Sequence, residues 1–214
     1  MKKVGKIVAS LFAAVMVFGI FQLSASASDI QVDLTQQQKE EYYKQYAEII
    51  TEVNSEQSEA DLELVPFDKV TDWFKPDEFR EIAKERATLQ FVYDVKGLEA
   101  TKPTKGLSAL GAGTASATKS KGFNARGTSV TLSVTGIFYT EYYDLYKRQL
   151  FSGIKSVSSR SNKGSWSQSG WEYTSMDMGT TYSLTTSGRL EYNNITSSHH
   201  VAIEFYCTAT GGVE

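Results

Sequence analysis

The chain has 214 residues, a formal net charge of −3 at pH 7 and a single cysteine, Cys207. A net acidic chain lacks the positive field by which proteins generally bind nucleic acids or anionic membranes, so these functions are disfavoured. A single cysteine also excludes a disulfide within the chain.

The N-terminal segment has the three parts of a secretory signal peptide. Three lysines precede an uncharged run over residues 7–23, and the small residues Ser24-Ala25-Ser26-Ala27 follow. An uncleaved anchor is the alternative, but a membrane-spanning helix needs about 20 apolar residues, and this run is shorter and ends in a cleavage site. We expect cleavage after Ala27 (a signal peptide over residues 1–27) and an extracellular mature protein without a permanent membrane anchor.

Residues 28–86 form an acidic region, with 16 acidic and 7 basic side chains, that is predicted to be helical. Thr35 and Gln38 have the types and spacing of a capping box, which marks the start of a helix. Apolar side chains then recur at helical spacing, which predicts an amphipathic helix over residues 36–53. Its apolar stripe consists of Tyr42, Tyr46, Ile49, Ile50 and Val53, widened by Tyr43 and Ala47.

A second helix is predicted after the first. It begins at Pro76, because proline fits the first helical position, and it ends at Arg86. Phe79, Ile82 and Ala83 form its apolar face. The stripe of each helix must be buried against another part of the protein.

Residues 87–214 change from helical spacing to alternation, which is typical of half-buried strands. On the last predicted strand, Val201, Ile203 and Phe205 point to one side together with Cys207. The sequence therefore predicts an α+β fold class, in which a short N-terminal helical region is followed by an antiparallel β-sandwich or β-barrel-like domain.

Two stretches of this region lack clear alternation. Residues 142–157 are compatible with a short helix or with a segment that crosses between strands. Residues 101–128 are rich in Gly, Ala, Ser, Thr and Lys and are predicted to be an exposed loop or linker. The five basic side chains of that loop are candidates for contact with an anionic partner: Lys102, Lys105, Lys119, Lys121 and Arg126. A membrane-crossing hairpin built on residues 107–118 is the alternative.

Aromatic side chains surrounded by Ser, Thr, Gly and Asn are the second candidate for binding. A ring with a polar tip suits contact with a glycan or a peptide. The candidate residues are Trp166, Trp171, Tyr173, Tyr182 and Tyr192. The competing interpretation is that alternate aromatic residues fill the core of the sheet. Under the binding hypothesis, Trp166 is predicted to be the exposed contact residue.

The sequence has no pattern typical of catalysis. No Gly-x-Ser-x-Gly turn occurs, and His199 and His200 are adjacent, so on a strand they face opposite sides and cannot hold one metal ion together. Cys207 is predicted to be a small buried residue. A hydrolase using a pair of carboxylates has weak candidates in Glu172, Asp177, Glu191 and Glu204.

We therefore expect a secreted, non-catalytic binding protein without a metal site or cofactor. Its expected partner is a cell-envelope polymer or an extracellular protein, and not a nucleic acid. A membrane-active secreted protein is the second possibility, and a secreted hydrolase is the third.

Overall fold

The computed structural model describes residues 34–91, 93–94, 112–125 and 128–214. Two helices near the N-terminus are followed by antiparallel sheets, one of them a curled half-barrel, so the α+β prediction is confirmed. The elements are α1 (Gln36–Glu56), β1 (Glu63–Leu64), α2 (Pro76–Ala87), β2 (Tyr93–Asp94), β3 (Gly113–Ala125), β4 (Thr128–Tyr143), β5 (Arg148–Ser161), β6 (Ser165–Met176), β7 (Thr181–Tyr192) and β8 (Ile195–Tyr206). The predicted signal peptide lies outside the described residues.

Both helices begin where the sequence predicts. The Thr35 hydroxyl accepts a hydrogen bond from the backbone N–H of Gln38, and the Gln38 side chain accepts one from the N–H of Thr35, at 3.3 and 2.9 Å. Pro76 is the first residue of α2. Ala47 is exposed, so it does not widen the buried stripe of α1.

The helices share a core with the start of β8. The rings of Tyr46 and Phe79 stack at 3.9 Å between their centroids, and Ile195 of β8 completes this cluster. The backbone N–H of Val65 donates to the carbonyl of Asn194, in the turn between β7 and β8, at 3.0 Å. The helical layer is therefore fixed to one end of the β-domain.

The strands form two antiparallel sheets of four. Sheet I has the order β2-β3-β4-β5, and sheet II has the order β1-β8-β7-β6. β5 and β6 are thus each the last strand of a sheet, and residues 162–164 connect them. The core side chains between the sheets are Ala115, Ala117, Leu132, Val134, Phe138, Phe151, Tyr182, Leu184, Val201, Ile203, Phe205, Cys207 and Val213.

Two stretches differ from the sequence-based expectation. Residues 113–125 are strand β3 and not part of a loop, and residues 142–157 are the end of β4, a turn and most of β5. Cross-strand hydroxyl pairs stabilise β3 against β4, including Thr118 with Thr135 at 2.8 Å. Ala115 and Ala117 of β3 belong to the same core cluster as Phe138, Phe151 and Phe205, whose rings supply the apolar bulk that the local sequence lacks.

Candidate functional site

Trp171 and Tyr173 form an aromatic surface on strand β6, called here the aromatic platform. Their partners across β7 are Thr186 and Leu184, which are both fully buried. Residues directly opposite each other in an antiparallel pair face the same side, so the two rings lie on the core-facing side of sheet II. They are nevertheless 40% and 45% exposed. β6 is the edge strand of sheet II, which is consistent with this exposure.

A row of rings connects the platform to the core. Centroid distances are 6.4 Å from Trp171 to Tyr173, 4.8 Å from Tyr173 to Tyr182 and 4.4 Å from Tyr182 to Phe151. Tyr182 is buried, and desolvation raises the pKa of its hydroxyl to about 12, so it stays protonated at neutral pH. Tyr182 therefore packs against Tyr173 from the core side and is not itself an exposed contact residue.

Trp166 is partly buried and hydrogen-bonded, whereas the sequence predicts an exposed contact residue. It is partly buried against the main core, and its indole N–H donates to the Ser159 hydroxyl at 2.7 Å. That hydroxyl donates in turn to the Gln168 side chain at 2.7 Å. These bonds tie β5 to β6 next to their connecting turn.

Tyr192 also has a structural role. The guanidinium of Arg86 lies 5.6 Å from the Tyr192 ring and 5.9 Å from the Phe123 ring, and it donates to the Tyr192 carbonyl at 3.1 Å. Arg86 is buried, and desolvation lowers its pKa to about 10, so it remains charged at neutral pH. Of the five predicted aromatic residues, the structure therefore brings two, Trp171 and Tyr173, to one exposed surface.

Trp166 of β6 packs closely on Gly188 of the neighbouring strand β7, which predicts that a larger residue at position 188 lowers the stability. A Cβ at Gly188 would lie 2.7 Å from the Ser167 carbonyl oxygen and 2.8 Å from a ring carbon of Trp166. Gly188→Ala is therefore expected to lower the free energy of unfolding by about 1–3 kcal/mol in urea denaturation. Gly170→Ala is the matched control, because a Cβ there meets nothing within 4 Å. Equal stability of the two variants would contradict this packing.

The basic candidates do not form an exposed cluster in the described part of the chain. Lys119 and Lys121 pair across β4 with buried Val134 and Leu132, so they share the core-facing side of β3. The Lys119 ammonium lies 4.6 Å from the centre of the Tyr206 ring. Lys102, Lys105 and Arg126 lie outside the described residues.

Two desolvated titratable side chains, Cys207 and His199, have pKa values shifted toward their neutral forms. Desolvation raises the pKa of Cys207, which is buried as predicted, to about 11, so its thiol is protonated at neutral pH. His199 is largely desolvated, which lowers its pKa to about 4. Among the described residues, no group of three or more His, Cys, Asp or Glu side chains could hold a metal ion.

The four carboxylate candidates are exposed and spread over different elements. Glu172 lies on β6, Asp177 lies in the turn after β6, Glu191 lies near the end of β7, and Glu204 lies on β8. Asp177 and Glu191 line two different clefts. None of the helices in the described ranges is long and apolar enough to span a membrane.

Two turns beside the platform carry apolar residues that the sequence analysis did not single out. A cleft of about 370 Å³ lies between them, lined by Tyr143 and Tyr146 on one side and by Met176 and Met178 on the other. Hydrophobic residues at turn positions between strands, where polar residues are usual, are the sequence signal that marks them. Comparison of the chain with protein-family models, with curated proteins and with solved structures gives no match.

Proposed function

We propose that the protein is a secreted, non-catalytic binding protein that acts at the cell envelope or on an extracellular partner. The observation that carries this proposal is the aromatic platform. Trp171 and Tyr173 are on the core-facing side of an edge strand, yet they are 40% and 45% exposed. An apolar surface of this kind remains in contact with water until a partner covers it.

The position of the platform favours an extended polypeptide segment as the ligand. β6 is the last strand of sheet II, so one edge of its backbone has no neighbouring strand among the described residues. An extended segment can hydrogen-bond to such an edge, and its alternate side chains then cover the ring faces beside it. A glycan would contact the rings without using the backbone edge.

The charge of β6 supports recognition by apolar contact and hydrogen bonds. Glu172 is the only charged residue of this strand, and the other side chains beside the platform are mainly hydroxyls. Glu172 pairs across the sheet with Thr185, on the face opposite to the platform. The affinity should therefore depend only weakly on salt.

Trp171→Ser with Tyr173→Ser is expected to weaken binding to an isolated cell-envelope fraction by about 30-fold or more, because buried aromatic side chains supply much of the affinity of interfaces. Binding is measured by co-sedimentation of the purified protein, and the thermal midpoint checks that the variant is folded. Tyr139→Ser is the matched control, because Tyr139 is 42% exposed on another strand.

Protease treatment of the envelope fraction distinguishes the two ligand classes. Loss of binding after treatment supports a polypeptide ligand. Binding that survives the treatment but still requires Trp171 and Tyr173 identifies a glycan instead. Binding that is equal in the platform variant and the wild type would overturn the proposed function.

A further inference from the structure

Two turns at one end of the β-domain present unusually exposed apolar side chains. Among the large hydrophobic residues that the structure describes, Leu145 and Met178 are the most exposed, at 83% and 75%. Leu145 lies in the turn between β4 and β5, and Met178 lies in the turn between β6 and β7. With the half-exposed Tyr143 and Tyr146 they form a surface that is called here the apolar tip.

The apolar tip lies far from the helices. β7 begins next to the turn that carries Met178, and it ends at the turn that contacts the helical layer. Its 12 residues span about 40 Å at the usual rise of a strand. The tip is therefore at the opposite end of sheet II, where the helices cannot cover it.

The charges of the two turns have partners within the turns. Lys147 pairs with Asp144 at 2.8 Å, and the Thr181 hydroxyl donates to the Asp177 carboxylate at 3.0 Å. The Lys147–Asp144 pair is neutral overall, whereas the Thr181 hydroxyl stabilises the Asp177 carboxylate without neutralising its negative charge.

The backbone of the second turn holds Met178 outward. Asp177, Met178 and Gly179 have φ angles of 50°, 55° and 88°, so three consecutive residues are in the left-handed region. This conformation is unfavourable for the two residues that are not glycine. The turn therefore has a strained backbone and an exposed methionine. Because Met178 is exposed, its side chain contributes no burial energy that would offset this strain.

We infer that the apolar tip inserts into the head-group region of a phospholipid bilayer and attaches the protein reversibly to a membrane surface. Leu145 and Met178 project from two turns, which suits a planar, fluid surface better than a rigid groove. Tyr143 and Tyr146 flank them, and tyrosine rings are favoured at the level of the lipid head groups. This attachment uses different residues from the aromatic platform and does not depend on the ligand of the platform.

The test is co-flotation of the purified protein with phosphatidylcholine vesicles. Leu145→Ser combined with Met178→Ser is expected to lower the partition coefficient about 100-fold, because each buried apolar side chain contributes roughly a factor of ten. Binding should persist at high salt and should not require anionic lipid. Tyr139→Ser is the control for loss of an exposed apolar side chain elsewhere.

Three outcomes would overturn the inference. They are no binding of the wild type to these vesicles, equal binding by the tip variant, and binding that requires phosphatidylglycerol and is abolished by salt. A tip-dependent interaction with native membranes that is absent from pure lipid and is lost after protease treatment would identify a protein partner instead. The platform variant, Trp171→Ser with Tyr173→Ser, should retain vesicle binding, which separates failure of this inference from failure of the proposed function.

Discussion

Phe138→Ala is expected to lower the free energy of unfolding by about 3–5 kcal/mol. The Phe138 side chain is fully buried between the sheets. Its ring centroid lies 5.0 Å from that of Phe151 in sheet I and 4.9 Å from that of Phe205 in sheet II. Removal of this ring would leave a cavity that both sheets line, and the surrounding aromatic rings are too large to rearrange freely.

Urea denaturation measures this effect, and two variants control it. Phe138→Leu should cost less, because it retains part of the apolar volume. Tyr139→Ala should change the stability little, because Tyr139 is on the exposed side of the same strand. Equal stability of Phe138→Ala and Tyr139→Ala would contradict the assignment of Phe138 to the centre of the core.

The same substitution should also affect the aromatic platform. Phe138 packs on Phe151, Phe151 stacks on Tyr182, and Tyr182 contacts Tyr173. Loss of the first ring removes support from this row, so Tyr173 should become more mobile. Envelope binding by Phe138→Ala, measured at a temperature at which the variant is folded, should therefore be weaker than binding by the wild type.

The helices could be predicted from the sequence because their signals are local. The capping residues Thr35 and Gln38 and the first-turn Pro76 define helix starts within a few residues of chain. The buried side chains Tyr46, Ile49, Ile50 and Val53 recur at the spacing of one helix face. Neither signal depends on what the helix packs against.

Strand β3 could not be predicted because its signal is not local. Its buried residues Ala115 and Ala117 contribute little apolar contrast, so the sequence shows only weak alternation. The strand is defined by continuous pairing with β4 from Gly113 to Ala125. Pairing of this kind depends on a partner elsewhere in the chain, which spacing within one segment does not reveal.

The exposure predicted for Trp166 differs from its partial burial in the structure for a related reason. In a regular strand Trp166 and Trp171 would face opposite sides, because Trp171 is five positions after Trp166 and side chains alternate at each position. A bulge between Gln168 and Gly170 shifts the register and brings both side chains to the core-facing side. Whether a ring on that side is then buried depends on how far sheet I extends, which is a property of the whole fold.

Acidification is expected to destabilise the protein through His199. Burial lowers its pKa from the ordinary value of 6.5 to about 4, and the charge of Arg86 acts in the same direction. The unfolded chain therefore binds this proton at a higher pH than the folded protein does. Stability should fall as the pH decreases from about 6.5 to 4, by about 3 kcal/mol for this residue.

The surroundings of His199 explain why the protonated form is unfavourable in the folded state. Arg86 of α2 is the charged group that faces it, His200 is its neighbour on β8, and the ring of Phe91 lies 5.3 Å away. The Ser197 hydroxyl is hydrogen-bonded to its Nε2 atom at 2.7 Å. Since Arg86 and His199 lie where α2 meets sheet II, protonation should weaken this interface in particular.

Urea denaturation between pH 7 and 4 tests this prediction. His199→Gln should be less sensitive to pH than the wild type by about 3 kcal/mol over that interval. His200→Gln is the matched control, because His200 is exposed on the other side of the same strand, and it should retain the wild-type dependence. Equal pH dependence of the wild type and His199→Gln would refute the role of His199.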